Sequence, residues 1–582
     1  MYKTKLNIKN ILEYKEHPLA ARYLKELDEL CDSFRGTAIE ATTFSQQRMC
    51  DVMGDRATFE GIYFKNRRRL TAFYLRTALY GEQADLEELH NIMWAVCNEF
   101  NWAFPAHTYR FFVGGDVSEH VVDLFACETA HTLAEILSVL GDKIDPVIQR
   151  LVRERIEQRV FLPFESGEIE KYRLIWEDLL ENWAAVCGGA LGMAAIYLIE
   201  DEKRLNKILK RCIHSVNMYI KSCTDDGVCL EGVGYWNYAM CYYVAFDALL
   251  KEKTGKGAVA DFEKVKKVAA FPGSVCIGNG LGIGFSDTSA KLAIQCGIST
   301  KLCKDYGVQM LGQEYCGPLM HHSSRTADCT RTLAWFDPSV FAEEAMPENR
   351  FYSEAQWAIC YVKDAVLAIK GGHNDEPHNH NDIGTYQLVY DGMTVVEDLG
   401  APLYDKDYFL TETRYNYLNT SSRGHAVPIV NGCLQKEGAS YKADGFVQTE
   451  GGASVSFAGA YPAEADLVSL VRTVRLDEEA HFSVSDSFAF AENGNDVKER
   501  IVTKLNAVER EKKIILQNDG VPLFEIIPCE KCAGIKITTE TLRNHRTEKQ
   551  ETSTVTLIDL EYQTATEQLQ CAYTIKRSLC PA

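Results

Sequence analysis

The spacing of apolar residues changes once along the chain, and this change limits the possible folds more than any other feature of the sequence. Segments 16–34 and 66–81 place apolar residues at helical spacing, as do most segments before residue 336. Later apolar runs are short or alternating and are bounded by Gly, Asn and Asp, as in 384–398. Similar helices joined by short turns indicate antiparallel helical hairpins, and the later pattern suits antiparallel sheets packed face to face. We therefore predict a helical domain at residues 1–340 and a β-sandwich at 350–582.

Composition and charge narrow the class of protein. A chain of 582 residues with 46% hydrophobic, 10% aromatic and 25% charged residues is typical of a globular protein with more than one domain. Its formal charge of -20 argues against broad nucleic-acid binding, which needs an excess of Lys and Arg to contact phosphates. A protein with this net negative charge can still have one cleft lined with Lys and Arg that binds an acidic ligand.

The start of the chain and its longest apolar run give no sign of export or of a membrane. No continuous apolar core opens the sequence, so we see no secretory signal. The run 184–199 is shorter than the ~20 residues of a membrane span, and its paired glycines suit tight helix packing. Most of the 20 cysteines lie in apolar helical runs, which favours buried reduced thiols over disulfides. We expect a cytoplasmic protein, and the sequence is compatible with a homo-oligomer.

Histidines are concentrated in the segment 371–384, "GGHNDEPHNHNDIG", which holds three of the 14 in the chain. His378 and His380 are two residues apart, so on a strand they would face the same side. Asp398 and His425, further along, are candidate partners. Two imidazoles and one carboxylate, with water as a fourth ligand, suit zinc. The alternative is that these residues serve as turn caps or surface groups.

The stretch "HNHNDIGTYQLVYDGMTVVEDLGAPLY", followed by "TRYNYLNTSSRGHAVPIVNG", resembles the signature of the heparinase II/III-like polysaccharide lyases. The resemblance covers most of the chain and is specific between His378 and Gly432. It implies an incomplete (α/α) toroid of helical hairpins followed by an antiparallel β-sandwich. It also implies a zinc ion on His380, Asp398 and His425, with His378 facing the substrate. His373 is then a loop residue.

Lyases of this kind cleave uronate glycans by elimination, which needs a group to neutralise the carboxylate, a base and an acid. The segment "DDGVCLEGVGYWNYAMCYYV" resembles the family's "DG…EG-x-x-Y" pattern, which implies that Tyr235 is catalytic. A phenol has an ordinary pKa near ~10, so a basic role requires nearby positive charge or hydrogen bonds. Tyr235 and Tyr238 have a competing interpretation as packing or sugar-stacking groups.

Asn182, in "LLENWAAVCGGALG", matches the position from which the family contacts the substrate carboxylate. Some relatives carry a histidine nearby where this chain has Trp183. The alternative role for Asn182 is to cap its helix. Glu231 either binds sugar or orients the site, unless it is a surface carboxylate.

Four further residues are candidates for substrate contact, namely Trp102 and His107 in "EFNWAFPAH" and Arg414 and Tyr415 in "TRYNYL". Helix-end packing is an equal alternative for the first pair. Asp287, in "GFSDTSAK", matches a turn that we interpret as structural. The run Arg67–Arg68–Arg69 cannot share one helix face, and we expect it to lie on a solvated surface.

We therefore predict a lyase that acts on anionic uronate-containing oligo- or polysaccharides. Glycosaminoglycans such as heparan sulfate, chondroitin or hyaluronan are the first choice, and alginate-like uronates the next. We expect the site where the two domains meet, because such clefts favour ligands. Tyr235 would serve as both base and acid if the two reacting groups lie on one sugar face, and His378 would be the base if they lie on opposite faces. An α/α-toroid glycoside hydrolase, which needs two carboxylates, and a non-catalytic glycan-binding protein are the alternatives.

Overall fold

Helices make up most of the chain before residue 341. The computed structural model describes residues 1–108, 120–288, 290–309, 311–321, 325–341, 348–402, 404–543 and 552–578. Its α-helices are α1 (Pro18–Phe34), α2 (Phe44–Met53), α3 (Ala57–Tyr80), α4 (Gln83–Cys97), α5 (Leu124–Leu140), α6 (Pro146–Ile156), α7 (Leu162–Ser166), α8 (Ile169–Tyr172), α9 (Asn182–Leu198), α10 (Glu202–Ser222), α11 (Val233–Thr254), α12 (Phe262–Val275), α13 (Cys296–Tyr306), α14 (Thr326–Trp335) and α15 (Thr411–Arg414).

The local signals in the sequence set the ends of several helices. Helix α3 ends at Gly81, whose φ of 72° is left-handed and whose N–H donates to the carbonyl of Thr77. Helix α6 begins with Pro146 after Asp145, whose carboxylate accepts a hydrogen bond from the N–H of Val147. These caps satisfy backbone groups that a helix end leaves without partners.

The apolar helices lie in the core of the helical region. The segment Leu124–Lys143 has the length and composition of a membrane span, yet 89% of its apolar 18-residue window is buried inside the protein, as in a core helix. In α9 the paired glycines allow close packing, as we predicted. A Cβ on Gly188 would lie 3.0 Å from the Cβ of Ser215 in α10, and one on Gly189 would lie 2.7 Å from the carbonyl oxygen of Tyr242 in α11.

Arginines 67 and 69 are buried, so the prediction of a solvated surface for this run is wrong. Arg67 makes a bidentate ion pair with Glu99, with distances of 2.8 and 2.7 Å. Arg69 pairs with Glu88 at 2.6 Å. Each guanidinium is therefore compensated by its own carboxylate, which is the condition for burying a charge. Adjacent residues of a helix can meet this condition on different faces.

Antiparallel strands form the rest of the fold. They are β1 (Cys276–Gly278), β2 (Leu281–Gly282), β3 (Arg350–Tyr352), β4 (Trp357–Val362), β5 (Ala365–Lys370), β6 (His373–Asn374), β7 (Tyr386–Tyr390), β8 (Met393–Val396), β9 (Ile429–Val430), β10 (Gly438–Lys442), β11 (Gly445–Thr449), β12 (Gly452–Ser456), β13 (Leu467–Leu476), β14 (Phe482–Phe490), β15 (Asn495–Thr503), β16 (Asn506–Arg510), β17 (Lys513–Asn518), β18 (Val521–Pro528), β19 (Gly534–Arg543), β20 (Thr552–Thr564) and β21 (Gln568–Arg577). The prediction of a helical region followed by antiparallel strands is confirmed.

Three large sheets share one apolar core. Their strand orders are β11-β12-β13-β14-β21-β18-β17-β16, β19-β20-β15-β9 and β3-β4-β5-β7-β8. Alternate residues of each sheet point into the core, as the period of two requires. Leu388 of the five-stranded sheet, Val474 and Phe482 of the eight-stranded sheet, and Ile501 and Ile558 of the four-stranded sheet belong to this single cluster.

A buried arginine crosses the same core. Arg472 of β13 pairs with Asp486 of β14 and with Glu499 of β15, at 2.6 and 2.7 Å. Its Nη1 also donates to the backbone carbonyls of Gly384 and Ala426, at 3.0 and 2.5 Å. Arg472 therefore holds the eight- and four-stranded sheets together and anchors two loops to them.

The chain groups into two compact units. The first comprises Met1–Cys223, Tyr235–Ala270 and Ala293–Glu344, and the second comprises Thr224–Gly234, Phe271–Leu292 and Ala345–Ala582. Two segments that we predicted as parts of the helical domain thus lie in the second unit. They are bonded to it and to each other: the hydroxyl of Ser286 donates to the carbonyl of Leu230, and the hydroxyl of Tyr361 donates to the carbonyl of Cys276.

Candidate active site and metal centre

Four buried side chains of the second unit form a cluster that could hold a metal ion. One ligand atom from each of His380, Asp382, Asp398 and His425 lies within 4.8 Å of all the others. His380 and Asp382 come from the loop between β6 and β7, Asp398 follows β8, and His425 follows a short helical turn. The three residues that the resemblance implies as ligands are thus together, and Asp382 joins them as a fourth candidate.

Each of the four side chains has one polar atom engaged by a neighbour outside the cluster. The contacts are His380 Nε2 to Asp287 Oδ1 at 3.1 Å, Asp382 Oδ1 from Lys370 Nζ at 2.8 Å, Asp398 Oδ1 from the N–H of Gly400 at 2.9 Å, and His425 Nε2 to the carbonyl of Asn419 at 2.7 Å. Such contacts fix the orientation of a ligand and the tautomer of an imidazole.

The second polar atom of each side chain has no hydrogen-bond partner among the residues that the structure describes. These atoms are His380 Nδ1, Asp382 Oδ2, Asp398 Oδ2 and His425 Nδ1, and all are buried. Buried polar atoms are nearly always paired, so four without partners in one cluster call for an explanation. Two imidazole nitrogens and two carboxylate oxygens fit a divalent metal ion such as zinc.

Burial and neighbouring charges shift the pKa values of three side chains in the cluster. Burial raises the pKa of Asp398 to about 7, an effect that Asp382 reinforces and His380 opposes. Burial also lowers the pKa of His425 to about 4. Burial acts to raise the pKa of Asp382 as well, but Lys370 and the two histidines outweigh it and lower the pKa. Lys370 therefore stabilises the charge of Asp382, whereas Asp398 is protonated more easily.

Asp287, which we interpreted as part of a structural turn, is the centre of a second group of side chains. Its Oδ2 lies 2.9 Å from Nδ1 of His378, and its Oδ1 lies 3.1 Å from Nε2 of His380. The hydroxyls of Tyr404 and Tyr408 donate to the same carboxylate at 2.8 and 2.6 Å. Burial acts to raise the pKa of Asp287, but the hydrogen bonds and charges of the two histidines hold it well below the ordinary value.

The two histidines of the motif lie in a loop, whereas we considered a strand for them. His378 has a φ of 58°, in the left-handed region that side chains other than glycine rarely adopt. The two rings meet at one carboxylate because of this loop conformation and not because of a shared strand face. His373, predicted as a loop residue, belongs to the two-residue strand β6, which pairs with β10.

Arg414 and Tyr415 support the turn between the two histidines. The guanidinium of Arg414 donates to the carbonyl of Asn379 at 2.9 Å, and the hydroxyl of Tyr415 donates to Oδ1 of the same residue at 2.9 Å. Arg414 also lies 3.8 Å from Asp287 and 4.3 Å from the ring of Tyr408. Both candidates therefore lie beside His378, where they fix the backbone of the loop.

Glu231 is buried, so the alternative of a surface carboxylate was wrong. Its Oε2 lies 3.8 Å from Nε2 of His378, on the nitrogen that does not contact Asp287. His378 thus has a carboxylate near each ring nitrogen.

In the first unit, the predicted catalytic tyrosine lies near the start of α11. Tyr235 is half-buried, and Tyr238 lies one turn further along the same helix face. The hydroxyl of Tyr238 donates to Glu128, and the guanidinium of Arg325 lies 3.7 Å from the centre of its ring. Arg325 is 3.3 Å from Glu128 as well. Tyr238 therefore has the contacts of a packed residue.

Two further predicted substrate residues of the first unit meet. The rings of His107 and Trp183 lie 4.8 Å apart, and Nδ1 of His107 lies 2.6 Å from Oδ2 of Asp123. Burial lowers the pKa of His107 to about 4, against the opposing effect of Asp123. The guanidinium of Arg173 lies 4.9 Å from the Trp183 ring. This group combines an aromatic face, an imidazole and a cation.

Asn182 and Trp102 each had a structural alternative, helix capping for Asn182 and helix-end packing for Trp102, and only the second agrees with the structure. Asn182 is buried and is the first residue of α9, while Glu181 holds the cap position, so Asn182 is not the cap. Trp102 is buried, its indole N–H donates to the carbonyl of Val96 at 2.9 Å, and Arg159 lies 4.8 Å from its ring. These are the contacts of helix-end packing.

The sequence alone did not identify Asp287, Tyr404, Tyr408 or Asp382 as parts of the site. Asp382 carried a signal, because it is the last member of the H-x-H-x-D motif. The two tyrosines lie in an aromatic stretch between Asp398 and Arg414, which is a weaker signal. Asp287 gave none, since its histidine partners lie more than 90 positions away.

Solved structures of several polysaccharide lyases share this fold. Heparinase III is 13% identical and has a TM-score of 0.62, with 99% of this chain and 92% of that chain covered. Heparan sulfate lyase HepC from Pedobacter heparinus is 12% identical (TM-score 0.56; 96% and 87% covered). Chondroitin AC lyase from Streptomyces coelicolor A3, in complex with chondroitin sulphate, is 10% identical (TM-score 0.55; 97% and 80% covered). No family model and no curated protein matches the sequence. The predicted heparinase-like fold is confirmed.

Proposed function

We propose that this chain is a lyase that cleaves uronate-containing glycans, and that its substrates are glycosaminoglycans. One observation carries the proposal: His378, at the position that the resemblance assigns to a substrate-facing histidine, lies between two buried carboxylates and next to a metal-binding cluster. The fold is shared with lyases for heparan sulfate and chondroitin. Alginate-like uronates are the alternative substrates.

In the proposed reaction a base removes the proton at C5, next to the uronate carboxylate. The electron pair of that C–H bond forms the C4–C5 double bond, the bond from C4 to the glycosidic oxygen breaks, and an acid protonates the leaving oxygen. No water is consumed. We assign neutralisation of the carboxylate to Asn182 and proton transfer to Tyr235 and His378.

The stereochemistry of the sugar decides which group is the base. With a glucuronate the two reacting groups share a face, and Tyr235 would take the C5 proton and then protonate the leaving oxygen. With an iduronate they lie on opposite faces, and His378 would be the base while Tyr235 acts as the acid. A basic Tyr235 needs a neighbouring positive charge that favours its phenolate form.

We assign the substrate contacts to five residues with polar or aromatic side chains. They are His107, Trp183, Glu231, Arg414 and Tyr415. We assign Trp102 to packing, because its indole N–H and ring are already engaged.

We assign the metal cluster to zinc, held by His380, Asp398 and His425 with Asp382 as a fourth ligand. A bound zinc ion would cross-link three parts of the chain. They are the loop that carries His378 and His380, the segment after β8 that carries Asp398, and the turn before β9 that carries His425. The proton transfers of the reaction are left to the side chains named above.

For the architecture, we infer that the helices form an incomplete toroid and that the sheets form a sandwich. The core shared by three antiparallel sheets supports the sandwich, and the close packing of successive helices such as α9 and α10 supports the toroid.

The proposed function is tested by mixing the purified protein with heparan sulfate, chondroitin, hyaluronan and alginate and following ultraviolet absorbance. A lyase produces a conjugated unsaturated uronate, which absorbs. A hydrolase releases reducing ends without this absorbance, and a binding protein produces neither. Absence of the absorbance on every uronate glycan would reject the proposal.

Two matched variants then test the catalytic tyrosine. Tyr235→Phe should reduce turnover by about 100-fold or more, as expected for loss of general acid–base catalysis. Tyr243→Phe is the control: Tyr243 lies in the same helix, and its buried hydroxyl has no hydrogen-bond partner in the described part of the chain. Its turnover should equal that of the parent. Full turnover by Tyr235→Phe would refute the assignment.

A further inference from the structure

Asp287 contacts both the proposed catalytic histidine and a proposed metal ligand. It accepts from Nδ1 of His378 at 2.9 Å and from Nε2 of His380 at 3.1 Å, so opposite nitrogens of the two rings face it. The two histidines are two residues apart in sequence, whereas Asp287 is distant from both. This carboxylate is therefore a common partner of two groups with different tasks.

Because a carboxylate can only accept hydrogen bonds, its contacts show which atoms around Asp287 carry protons. An ionised carboxylate accepts about four hydrogen bonds and donates none. The donors that reach Asp287 include the two imidazoles and the hydroxyls of Tyr404 and Tyr408. Arg414 adds a positive charge at 3.8 Å. Because Asp287 can only accept, each imidazole has to present an N–H to it.

The consequence is that the two neutral rings hold opposite tautomers. His378 carries its proton on Nδ1, which leaves the Nε2 lone pair on the side of Glu231. His380 carries its proton on Nε2, which leaves the Nδ1 lone pair buried in the metal cluster without a hydrogen-bond partner in the described structure. A general base and a metal ligand each need a bare nitrogen.

We infer that Asp287 is a positioning residue that sets both tautomers at once, preparing His378 for proton transfer and His380 for metal binding. The part that concerns His378 rests on the proposed function, and the part that concerns His380 does not. Tyr404 and Tyr408 hold the carboxylate in place through their hydroxyls. The backbone strain at His378, with its φ of 58°, brings the first ring to the same carboxylate.

The first test uses the parent protein, loaded with zinc and labelled with ¹⁵N-histidine, in alkaline buffer. Long-range ¹H–¹⁵N spectra report which ring nitrogen carries the proton, and spectra of His378→Gln and His380→Gln assign the two signals. We expect N–H at Nδ1 of His378 and at Nε2 of His380. A proton on Nε2 of neutral His378 would overturn the inference whatever the activity of the protein.

The second test replaces the acceptor. In Asp287→Asn one oxygen becomes an N–H₂ donor, so the side chain no longer accepts from both rings. We expect zinc affinity to fall by about 10–100-fold, the usual effect of losing such a partner. We also expect kcat to fall by about 100-fold with little change in KM. Tyr408→Phe, which keeps the carboxylate and removes one donor, should change both quantities much less.

His378→Gln separates this inference from the proposed function. It should abolish turnover and leave zinc affinity unchanged, since His378 is not in the metal cluster. Parental zinc affinity and kcat in Asp287→Asn would overturn the inference. If the protein proves to have no lyase activity, the tautomers and the zinc affinity still decide the role of Asp287 toward His380. If Asp287→Asn does not fold, the spectra of the parent protein decide.

Discussion

His425 donates its Nε2–H to the backbone carbonyl of Asn419 at 2.7 Å, and Nδ1 of the same ring lies 3.6 Å from Oδ2 of Asp398. A backbone carbonyl can only accept, so this contact fixes the tautomer of the neutral ring and leaves Nδ1 bare. The same logic applies to His380 and Asp287. The chain thus uses one backbone group and one side chain to prepare two imidazoles for the same cluster.

The first prediction concerns the metal. Zinc should raise the unfolding temperature of metal-free protein, because a ligand that binds only the folded state stabilises it by about 2.7 kcal/mol at 100 times its Kd. His425→Gln should lose most of this effect. His373→Gln is the control, since His373 lies outside the cluster in β6. Differential scanning fluorimetry with and without zinc measures the shift, and equal shifts in both variants would contradict the assignment.

The second prediction concerns pH and His107, whose folded pKa of about 4 is below its ordinary value of 6.5 because the ring is buried. Between these values the unfolded state binds more protons, so the stabilisation is complete above pH 6.5 and is lost as the pH falls toward 4. The loss amounts to roughly 3 kcal/mol at most.

A matched variant isolates this contribution. His107→Gln keeps an N–H donor for Asp123 and does not titrate. Its unfolding temperature should therefore fall less than that of the parent between pH 6.5 and 4. Thermal unfolding followed by circular dichroism across this range is the measurement. Parallel curves for the two proteins would show that His107 does not titrate as expected.

Much of the fold is predictable because its signals are local. The ends of α3 and α6 follow from Gly81 and from the pair Asp145 and Pro146, which act within a few residues. The change from helical to alternating spacing is also read over short windows. Burial of Arg67 is different, because it depends on Glu99, which lies 32 positions later in the loop after α4, and the residues adjacent to Arg67 give no sign of that partner.

The residues of the candidate site are also of two kinds, those that share a short sequence motif and those that only the tertiary structure brings together. His378, His380 and Asp382 belong to one short motif, so their shared chemistry is visible in the sequence. Asp287 reaches the site only through the fold, from a turn far earlier in the chain, and a lone Asp after Ser is most often a turn residue. The tertiary structure supplies this partner, and sequence spacing does not.

The third prediction tests the close packing of α9. Gly189→Ala would place its Cβ 2.7 Å from the carbonyl oxygen of Tyr242. This oxygen belongs to the backbone of a helix and cannot easily move away. We expect a loss of about 1–3 kcal/mol in the free energy of unfolding. Gly61→Ala, in an exposed position of α3 with no atom within 4 Å, should instead gain about 0.5–1 kcal/mol. Urea denaturation of both variants measures the difference, and a neutral Gly189→Ala would show that the helices can separate.

The fourth prediction concerns Arg472, which joins the sheets of the second unit to the loops of the metal cluster. Its two carboxylate partners are buried, and Nη1 holds the carbonyls of Gly384 and Ala426, which lie close in sequence to Asp382 and His425. Removing the guanidinium therefore has two effects. It leaves Asp486 and Glu499 buried without their cation, and it releases both loops from the core.

Arg472→Met should lower the free energy of unfolding by about 3–5 kcal/mol, the usual cost of breaking a buried ion pair on one side. It should also weaken zinc binding, because the two loops that it releases carry ligands of the cluster. Arg475→Met, an exposed position on the same strand, should stay within about 0.5 kcal/mol of the parent. Denaturation without zinc measures the first effect, and zinc titration of the folded variant measures the second. A variant that loses stability but binds zinc as tightly as the parent would show that the loops keep their geometry without Arg472, and the metal cluster would then depend only on its immediate neighbours.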